Sequence, residues 1–512
     1  MTFSIIKTKA QLDSWLKKQK NPIYFVPTMG GLHLGHAELI KAAKKHGSKN
    51  SCILVSIFVN PLQFGANEDF EQYPRNLSLD SEIAKGAGAN AIWAPSEKDI
   101  FQGDKNSLFQ INVPPNLQKH LCGSKRKGHF DGVCTIMVKL LSLVKPKVLI
   151  LGEKDWQQFI ILRQLVNALG LQIEVKGIAT VRDSNNLALS SRNQYLNSNE
   201  YNQALALPRS LQEARKNFKS KGSINIQKLR SNFEKNNLKV DYIQIVDRTT
   251  LTPLDQPKSP CLLAAAVYCG RTRLIDHTFL MTRSPIIAID GPAGAGKSTI
   301  AQLFAKKMGL IYLDTGAMYR ALTWHIIENQ INPNDEKNLV KVLEDCKVDF
   351  KSSESSGPQV FVNQKNVTHF IRSPQVTEFV SKISAKFPVR EKLTNQQKEF
   401  GQQGGIVAEG RDIGTAVFPD AELKIFLTAS TSERAKRRAL DLKQKGFEVP
   451  SLMLLEQQIK ERDQADMERD ISPLVKAADA KELITDGMKI EVVLDELTKL
   501  FREEVPEEMW KV

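Results

Sequence analysis

Long apolar runs are missing from this sequence. No stretch approaches the ~20 residues that a membrane-crossing helix needs, so a spanning chain is not expected. Cysteine is sparse as well. The six cysteines, at 52, 122, 134, 261, 269 and 346, contain no CxxC pair and no metal-ligand spacing. That excludes a disulfide scaffold and a zinc module, and it fits reduced thiols. The opening residues "MTFSIIKTKAQLDSW" lack the basic-then-apolar layout of a secretory signal, so a cytoplasmic protein is expected. There is no long internal repeat. Acidic residues are scarce in one part only: residues 1–283 carry 39 Lys and Arg against 22 Asp and Glu, whereas 284–512 carry 32 against 35. A basic half raises nucleic-acid binding as one reading. No aromatic-interleaved basic stripe accompanies it, which favours a solvated basic surface with a few phosphate-binding cations.

What is present is a 512-residue chain with 41% hydrophobic and 25% charged residues, long enough for two or more domains. Apolar runs rich in β-formers recur as "IYFV" (23–26), "ILVSIFV" (53–59), "KVLIL" (147–151), "IIAI" (286–289), "GIVAE" (405–409) and "LKIFL" (423–427). Apolar on both faces and separated by helix-period segments, they predict parallel strands covered by helices. The segment "DHTFLMTRSP" (276–285) reads as the domain boundary. The stretch 352–371, mixed polar and alternating around "NQKN", reads as a hairpin-bearing excursion from the main sheet.

Just past that boundary, "IIAIDGPAGAGKST" places a GxxxxGK[ST] loop between a strand and a helix. Its glycines let backbone N–H groups turn toward phosphate oxygens at a helix N-terminus. The loop predicts ATP binding by Gly291, Gly294, Ala295, Gly296, Lys297, Ser298 and Thr299. Lys297 would reach the β- and γ-phosphates, and Ser298 would hold Mg²⁺. Downstream, "YLDTGAMYR" offers Asp314 and Arg320, "GRDIGT" offers Arg411 and Asp412, and "KERDQADMERD" offers Arg462, Asp466 and Arg469. Helical spacing would align those last three on one face. Converging arginines suit the charge of a transferring phosphoryl group, although a charged, solvated helix is the plainer reading of that segment by itself.

Together with "IRSPQV" and "VFPDA", these motifs resemble the bacterial cytidylate kinases over 284–512. The resemblance implies a P-loop nucleoside monophosphate kinase domain. Asp314, Ser381, Arg390 and Asp412 would surround the CMP base and sugar, with Arg320 and Arg411 nearer its phosphate. Arg462 and Arg469 would reach the transferring group, both counted with Lys297 as catalytic, and Asp466 would touch the acceptor sugar. The excursion at 352–371 matches the family's enlarged monophosphate-binding part. "SAKFPVRE" departs locally, with its proline beside Val389.

In the first half, "PTMGGLHLGH" (27–36) follows one strand and opens a helix, presenting His33 and His36 where nucleotide phosphates bind. Imidazole donors there can meet charge developing at an α-phosphate. "SIFVNPLQFG" adds the amides Asn60 and Gln63. "LGEKDWQQ" adds Lys154, Asp155 and Gln158, and "NLALSSRNQYL" adds Ser190, Ser191 and Arg192. With "GHFDGV", "VDYIQIVD" and "GRTRLIDH", the set resembles pantothenate synthetase (pantoate–β-alanine ligase) over 1–280. The implied fold is a Rossmann-like HxGH nucleotidyltransferase-type domain at about 1–183 and a smaller α+β part at about 184–280.

The implied chemistry is a pantoyl adenylate, formed with release of pyrophosphate and attacked by β-alanine with release of AMP. His33, His36 and Lys154 would be catalytic, with His36 the proton-donor candidate. The ATP site would be lined by Met29, Gly30, Gly31, Leu32, Leu34 and Gly35 with the two histidines, by Gly152 and Glu153 through Asp155, and by Val181 and Leu189 through Arg192. Gln63, Gln158 and Asn60 would hold pantoate or β-alanine, and Asp80 is a tentative metal ligand. "SKRKGHFDGV" has Lys127 where the family usually has proline.

The expectation is therefore a bifunctional enzyme using ATP and Mg²⁺ on small molecules. It needs neither nucleic acid nor membrane, and it can pair as a homodimer through its first half. Two alternatives stand beside it: another HxGH adenylyltransferase in the first half, or a basic nucleotide-sensing protein that binds nucleic acid.

Overall fold

The computed structural model describes residues 3–510 apart from 48–50, 67, 102–107, 354–356, 445 and 447. The chain forms two compact units, one of Met1–Thr282 together with Pro506–Val512, the other of Arg283–Val505.

The first unit is built on a six-stranded sheet of β1 (Ser4–Ile6), β2 (Ile23–Thr28), β3 (Cys52–Ile57), β4 (Ala91–Trp93), β5 (Val148–Gly152) and β6 (Glu174–Ile178). All its pairings are parallel, in the order β1-β4-β3-β2-β5-β6. Phe25, Val26, Leu54, Val55, Leu149 and Ile150 are buried on neighbouring strands, which is why these runs are apolar on both faces rather than alternating. Val26, Val55 and Ile150 share one core with Ala37, Ile40 and Ala43 of the helix Leu34–His46 and with Ala84 and Ala87 of Leu77–Ala87. After β2 the chain moves to one side through β3 and β4, then returns to β5 on the other. The loops that follow β2 and β5 therefore part from each other, opening a crevice at the strand C-terminal ends.

Three antiparallel strands follow: β7 (Leu238–Val246), β8 (Cys261–Cys269) and β9 (Thr272–Leu280). Alternate β8 residues Cys261, Leu263, Ala265 and Val267 share a core with Leu207, Leu211 and Phe218 of the helix Ala206–Lys221. This is the α/β architecture expected, a Rossmann-like sheet with a smaller α+β part. The boundary segment is different from its reading. Residues 276–280 belong to β9 and are buried, so only the part from Met281 onward lies outside a strand. Asp276, His277 and Thr278 look like linker chemistry in sequence, yet both faces of the strand are covered there.

In the second unit β10 (Ile286–Asp290), β11 (Ile311–Asp314), β15 (Ile406–Gly410), β16 (Leu423–Thr428) and β17 (Lys481–Ile484) form a parallel sheet in the order β11-β15-β10-β16-β17. Ile286, Ala288, Leu313, Ile406 and Ala408 pack with Met318, Ala321 and Leu322 of the helix Thr315–Glu328. The excursion is an antiparallel sheet of β12 (Val348–Ser353), β13 (Gly357–Val362) and β14 (Lys365–Asn366). Of the expected 352–371 segment, 354–356 lie outside the described residues. Val362 pairs with Lys365 across Asn363 and Gln364, whose φ of 46° and 70° make the tight two-residue hairpin turn that suits strand twist. Among the described residues no helix is long and apolar enough to cross a membrane.

The last residues, from Pro506, group with the first unit.

Candidate active sites

The loop after β2 is shaped by its glycines and by one buried carboxylate. Gly30 and Gly31 have φ of 89° and 62°, in the region that favours glycine. The turn they allow aims the Gly31 and Leu32 N–H groups at Asp80, at 3.1 and 2.7 Å. Asp80, the metal-ligand candidate of the sequence, is 1% exposed and both of its oxygens accept these bonds, so it holds the loop. His33 then caps the helix Leu34–His46. Its Nδ1 accepts from the Gly35 N–H at 3.1 Å, and the His36 Nδ1 accepts from the His33 N–H at 3.4 Å. A side chain at Gly35 would collide with the His33 ring.

With both Nδ1 atoms taken by donors, the remaining proton of each ring sits on Nε2. Burial first, and the nearby Lys154 charge, depress His33 to about 4; burial and then His33 depress His36 to about 3. Both rings are neutral at pH 7. They are hydrogen-bond donors through Nε2–H, His36 being the proton-donor candidate of the sequence reading.

The other predicted residues meet this loop from three directions. The Ser191 side chain lies beside Gly31 and that of Leu189 beside Gly35. The Leu189 N–H bonds the Val181 carbonyl at 2.9 Å, which places Val181 next to them. A cavity of about 810 Å³ is lined by Lys154, Asp155, Gln158, Ser190 and Arg192. His33, His36, Met29, Asn60 and Gln63 are not among its lining residues. Gln63 lies beneath instead, its Nε2 donating to the Met29 sulfur at 2.9 Å and its carbonyl accepting from His129 and Arg126.

Asn60, expected on the substrate, is tied to its neighbours. It is 3% exposed, accepts from the Leu62 N–H, and donates to the Gly132 carbonyl and to Gln63 Oε1 at 3.1 Å each. Its amide nitrogen is shared between Gly132 and Gln63, which helps to orient the Gln63 side chain.

Sequence reasoning missed several partners here. Asp69 grips Arg192 with two hydrogen bonds of 2.9 and 2.7 Å. Glu68 pairs with Arg126, which also bonds His129 Nε2 at 2.9 Å. Burial and the Arg126 charge lower His129 to about 4, so it too is neutral. Arg126 and His129 stood in quoted motifs, but nothing local marks Asp69, whose partner is 123 residues away.

In the second unit the loop after β10 is held equally tightly. Gly291, with φ of 147°, leaves no room for a Cβ against the Leu427 carbonyl. Lys297 begins the helix Lys297–Met308; it is 6% exposed and its Nζ donates to the Pro292 carbonyl at 2.8 Å. Burial first, and then Arg411, push its pKa down to about 7. Asp290, raised to about 6 by burial, accepts the Ile413 and Gly414 N–H groups at 2.8 and 2.7 Å. It thereby ties the phosphate loop to the "GRDIGT" turn.

A cavity of about 850 Å³ gathers Gly294, Ala295, Gly296, Lys297, Ser298 and Thr299 of the loop with Asp314, Arg320, Ser381, Arg390, Arg411, Asp412, Arg462, Asp466 and Arg469. Every predicted residue of this half except Gly291 lines it. Arg390 pairs with Asp412, both buried, with its guanidinium 5.4 Å from the Tyr319 ring centre. The helical spacing argument holds only in part: the helix Leu452–Met467 ends before Arg469. Arg469 reaches the site from beyond the helix end and pairs with Asp466, whose other oxygen accepts from Arg411 Nε at 2.8 Å. Asp466, expected on the acceptor sugar, thus has both oxygens engaged by arginines. Arg372 also lines the cavity and had no assigned role, though it stands in the quoted "IRSPQV".

Two nucleotide-sized sites, each at the C-terminal ends of a parallel sheet, define a two-site enzyme: a Rossmann-like adenylate-forming unit and a P-loop nucleoside monophosphate kinase. The model of the pantoate–β-alanine ligase family matches residues 4–279, and that of the cytidylate kinase family matches 287–503. The chain belongs to the bifunctional pantoate ligase/cytidylate kinase family. Two relatives of that name, from Prochlorococcus marinus strains NATL1A and NATL2A, are 55% and 56% identical over 511 residues, covering 100% of this chain and 99% of each relative. The solved pantothenate synthetase of Thermus thermophilus is 33% identical, with a TM-score of 0.50; the match covers 55% of this chain and 100% of that one. Neither alternative reading of the sequence is favoured by these findings.

Proposed function

We propose that the first unit joins pantoate to β-alanine at the Met29–His36 loop, and that the cavity of the second passes the ATP γ-phosphoryl group to CMP or dCMP. The observation that carries the ligase assignment is the pair of neutral imidazoles at a helix N-terminus, each with its Nε2–H free to donate. A pantoate carboxylate oxygen attacks the ATP α-phosphorus, and the bond to the bridging oxygen breaks as pyrophosphate leaves. The β-alanine amine then attacks the acyl carbon, and AMP departs with the carboxyl oxygen it gained. His33 and His36 donate to the phosphate oxygens as charge grows there. Lys154 and Arg192 offset the triphosphate charge, while Gln158 and Gln63 read the hydroxyls and carboxylate of pantoate.

In the second unit a CMP phosphate oxygen attacks the γ-phosphorus in line, and ADP leaves. Lys297, Arg320, Arg411, Arg462 and Arg469 supply the positive charge that a loose transition state needs. Mg²⁺ fits the donor set. Ser298 is exposed and lines the cavity, and burial with the adjoining Glu409 carboxylate raises Asp314, an acidic pairing that a hard dication relieves. Held by Ser298 and the nucleotide's own phosphates, it would neutralise charge across the β- and γ-oxygens. Arg390, Asp412 and Ser381 are left to the base and sugar of CMP. Purified chain should form pantothenate, AMP and pyrophosphate from pantoate, β-alanine and ATP, and CDP from CMP and ATP. Absence of either product refutes the corresponding half.

A further inference from the structure

Residues Pro506–Trp510 follow the second unit in sequence but belong to the first. The short helix Glu507–Trp510 packs against β9, and Met509 is 3% exposed. Its polar contacts fall on His277 of β9 and on residues in or next to two segments assigned to the ligase nucleotide site. Glu508 Oε1 accepts the Thr180 N–H at 2.7 Å, one residue before Val181. Glu508 Oε2 lies 3.4 Å from Nε2 of His277, a 3% exposed ring on β9. The Glu507 N–H hydrogen-bonds the carboxyl of Glu153, itself 3% exposed and part of the Gly152–Asp155 segment. Burial works against the Glu508 charge, but His277 and the Thr180 N–H outweigh it and hold the carboxyl down at about 2. Beyond Val181, Arg182 is fixed by two hydrogen bonds to Asp276, at 2.7 and 2.9 Å.

We propose that the C-terminal segment of the chain is a working part of the ligase, with Glu508 a positioning residue that holds the Thr180–Val181 backbone in register for ATP while the adjoining Glu507 N–H braces the Gly152–Asp155 turn. This rests on the assignment of those two segments to the ligase ATP site. Thr180 lies past the end of β6, so its N–H is outside the parallel ladder, and Glu508 supplies the acceptor that pins it. Glu153 sits at the end of β5, and the same tail helix braces it. One short segment therefore ties together the ends of β5 and β6, the strands on one side of the crevice between β2 and β5. Small displacements of such supports reach the reacting atoms, since about 1 Å of misplacement can cost 10²-fold in rate.

The test uses the full chain, with pantothenate formation and CMP phosphorylation assayed on the same preparations. Glu508→Ala should raise the ligase KM for ATP roughly 10-fold, with smaller changes in the KM values for pantoate and β-alanine. CMP phosphorylation should stay at its starting rate. Glu508→Gln keeps an oxygen for the Thr180 N–H and should recover most of the ATP affinity. If Glu508→Ala fails to fold, Glu508→Gln decides alone: a rise of roughly 2- to 5-fold confined to ATP is expected, because the charge facing His277 is lost. An unchanged ATP KM, or an equal loss toward all three substrates, overturns the proposal. Lys154→Ala on the same chain separates the two levels. If it leaves ligase kinetics untouched, the site assignment itself is wrong; if it impairs them while Glu508→Ala does not, only the role of the tail is refuted.

Discussion

A methyl group in place of the His36 imidazole removes one Nε2–H donor and also the acceptor for the His33 N–H. His36→Ala should therefore lower ligase turnover by about 10²- to 10³-fold, the usual cost of losing a preorganised donor. CMP phosphorylation by the same protein should persist, and a coupled assay of AMP and CDP release reads both. Lys297 makes the opposite case. Burial pushes its ammonium down to about 7, so it is mostly neutral at pH 8. A phosphate beside it raises that value, so ATP binding to the second unit should take up a proton above pH 7. Affinity there should decline as pH climbs through and beyond 7. Titration calorimetry at pH 8 in buffers of different ionisation enthalpy measures the uptake, and in Lys297→Ala that component should vanish along with CDP formation. These residue types were legible because HxGH and GxxxxGK[ST] are local patterns whose spacing is set by one turn and one helix. That Asn60 bonds the Gly132 carbonyl, 72 positions away, was not legible, because no local pattern records which neighbour an amide will meet.

At the scale of elements, buried carboxylates hold loops in place. Asp80 under the β2 loop and Asp290 under the "GRDIGT" turn each accept two backbone N–H groups. Asp80→Ala should leave both donors unmet and impair the ligase while the kinase continues, checked by the same paired assay. In the second unit Asp463 binds Arg434 through two hydrogen bonds of 3.0 and 2.6 Å, and Arg434 also donates to the Ala293 carbonyl of the phosphate loop. Asp463→Ala strands a buried guanidinium. It should destabilise that unit by about 3–5 kcal/mol, seen as an earlier melting or denaturant transition. The six apolar runs read as strands all lie in the two parallel sheets, because their composition follows directly from burial on both faces. The end of the helix Leu452–Met467 was not legible, since the charged pattern continues past it while the hydrogen-bonded backbone does not.

For the molecule as a whole, cleavage between Met281 and Pro285 should leave CMP kinase activity intact, because the phosphate loop is fed by β10 starting at Ile286. Cuts within 276–280 should be resisted, because that stretch is a buried strand; mass spectrometry of limited digests locates the cut. The two sheets, the two nucleotide loops and the chemistry of each half follow from the sequence alone. Strand periodicity and glycine-rich turns are short-range consequences of burial and backbone sterics, so they are written locally. What only the tertiary structure decided are the pairings between residues far apart. Asp69 on Arg192, Asp80 under Gly31 and Leu32, and Glu508 on Thr180 are partners 123, 49 and 48, and 328 positions distant. A carboxylate's role depends on which donor the fold brings to it, and no local pattern encodes that.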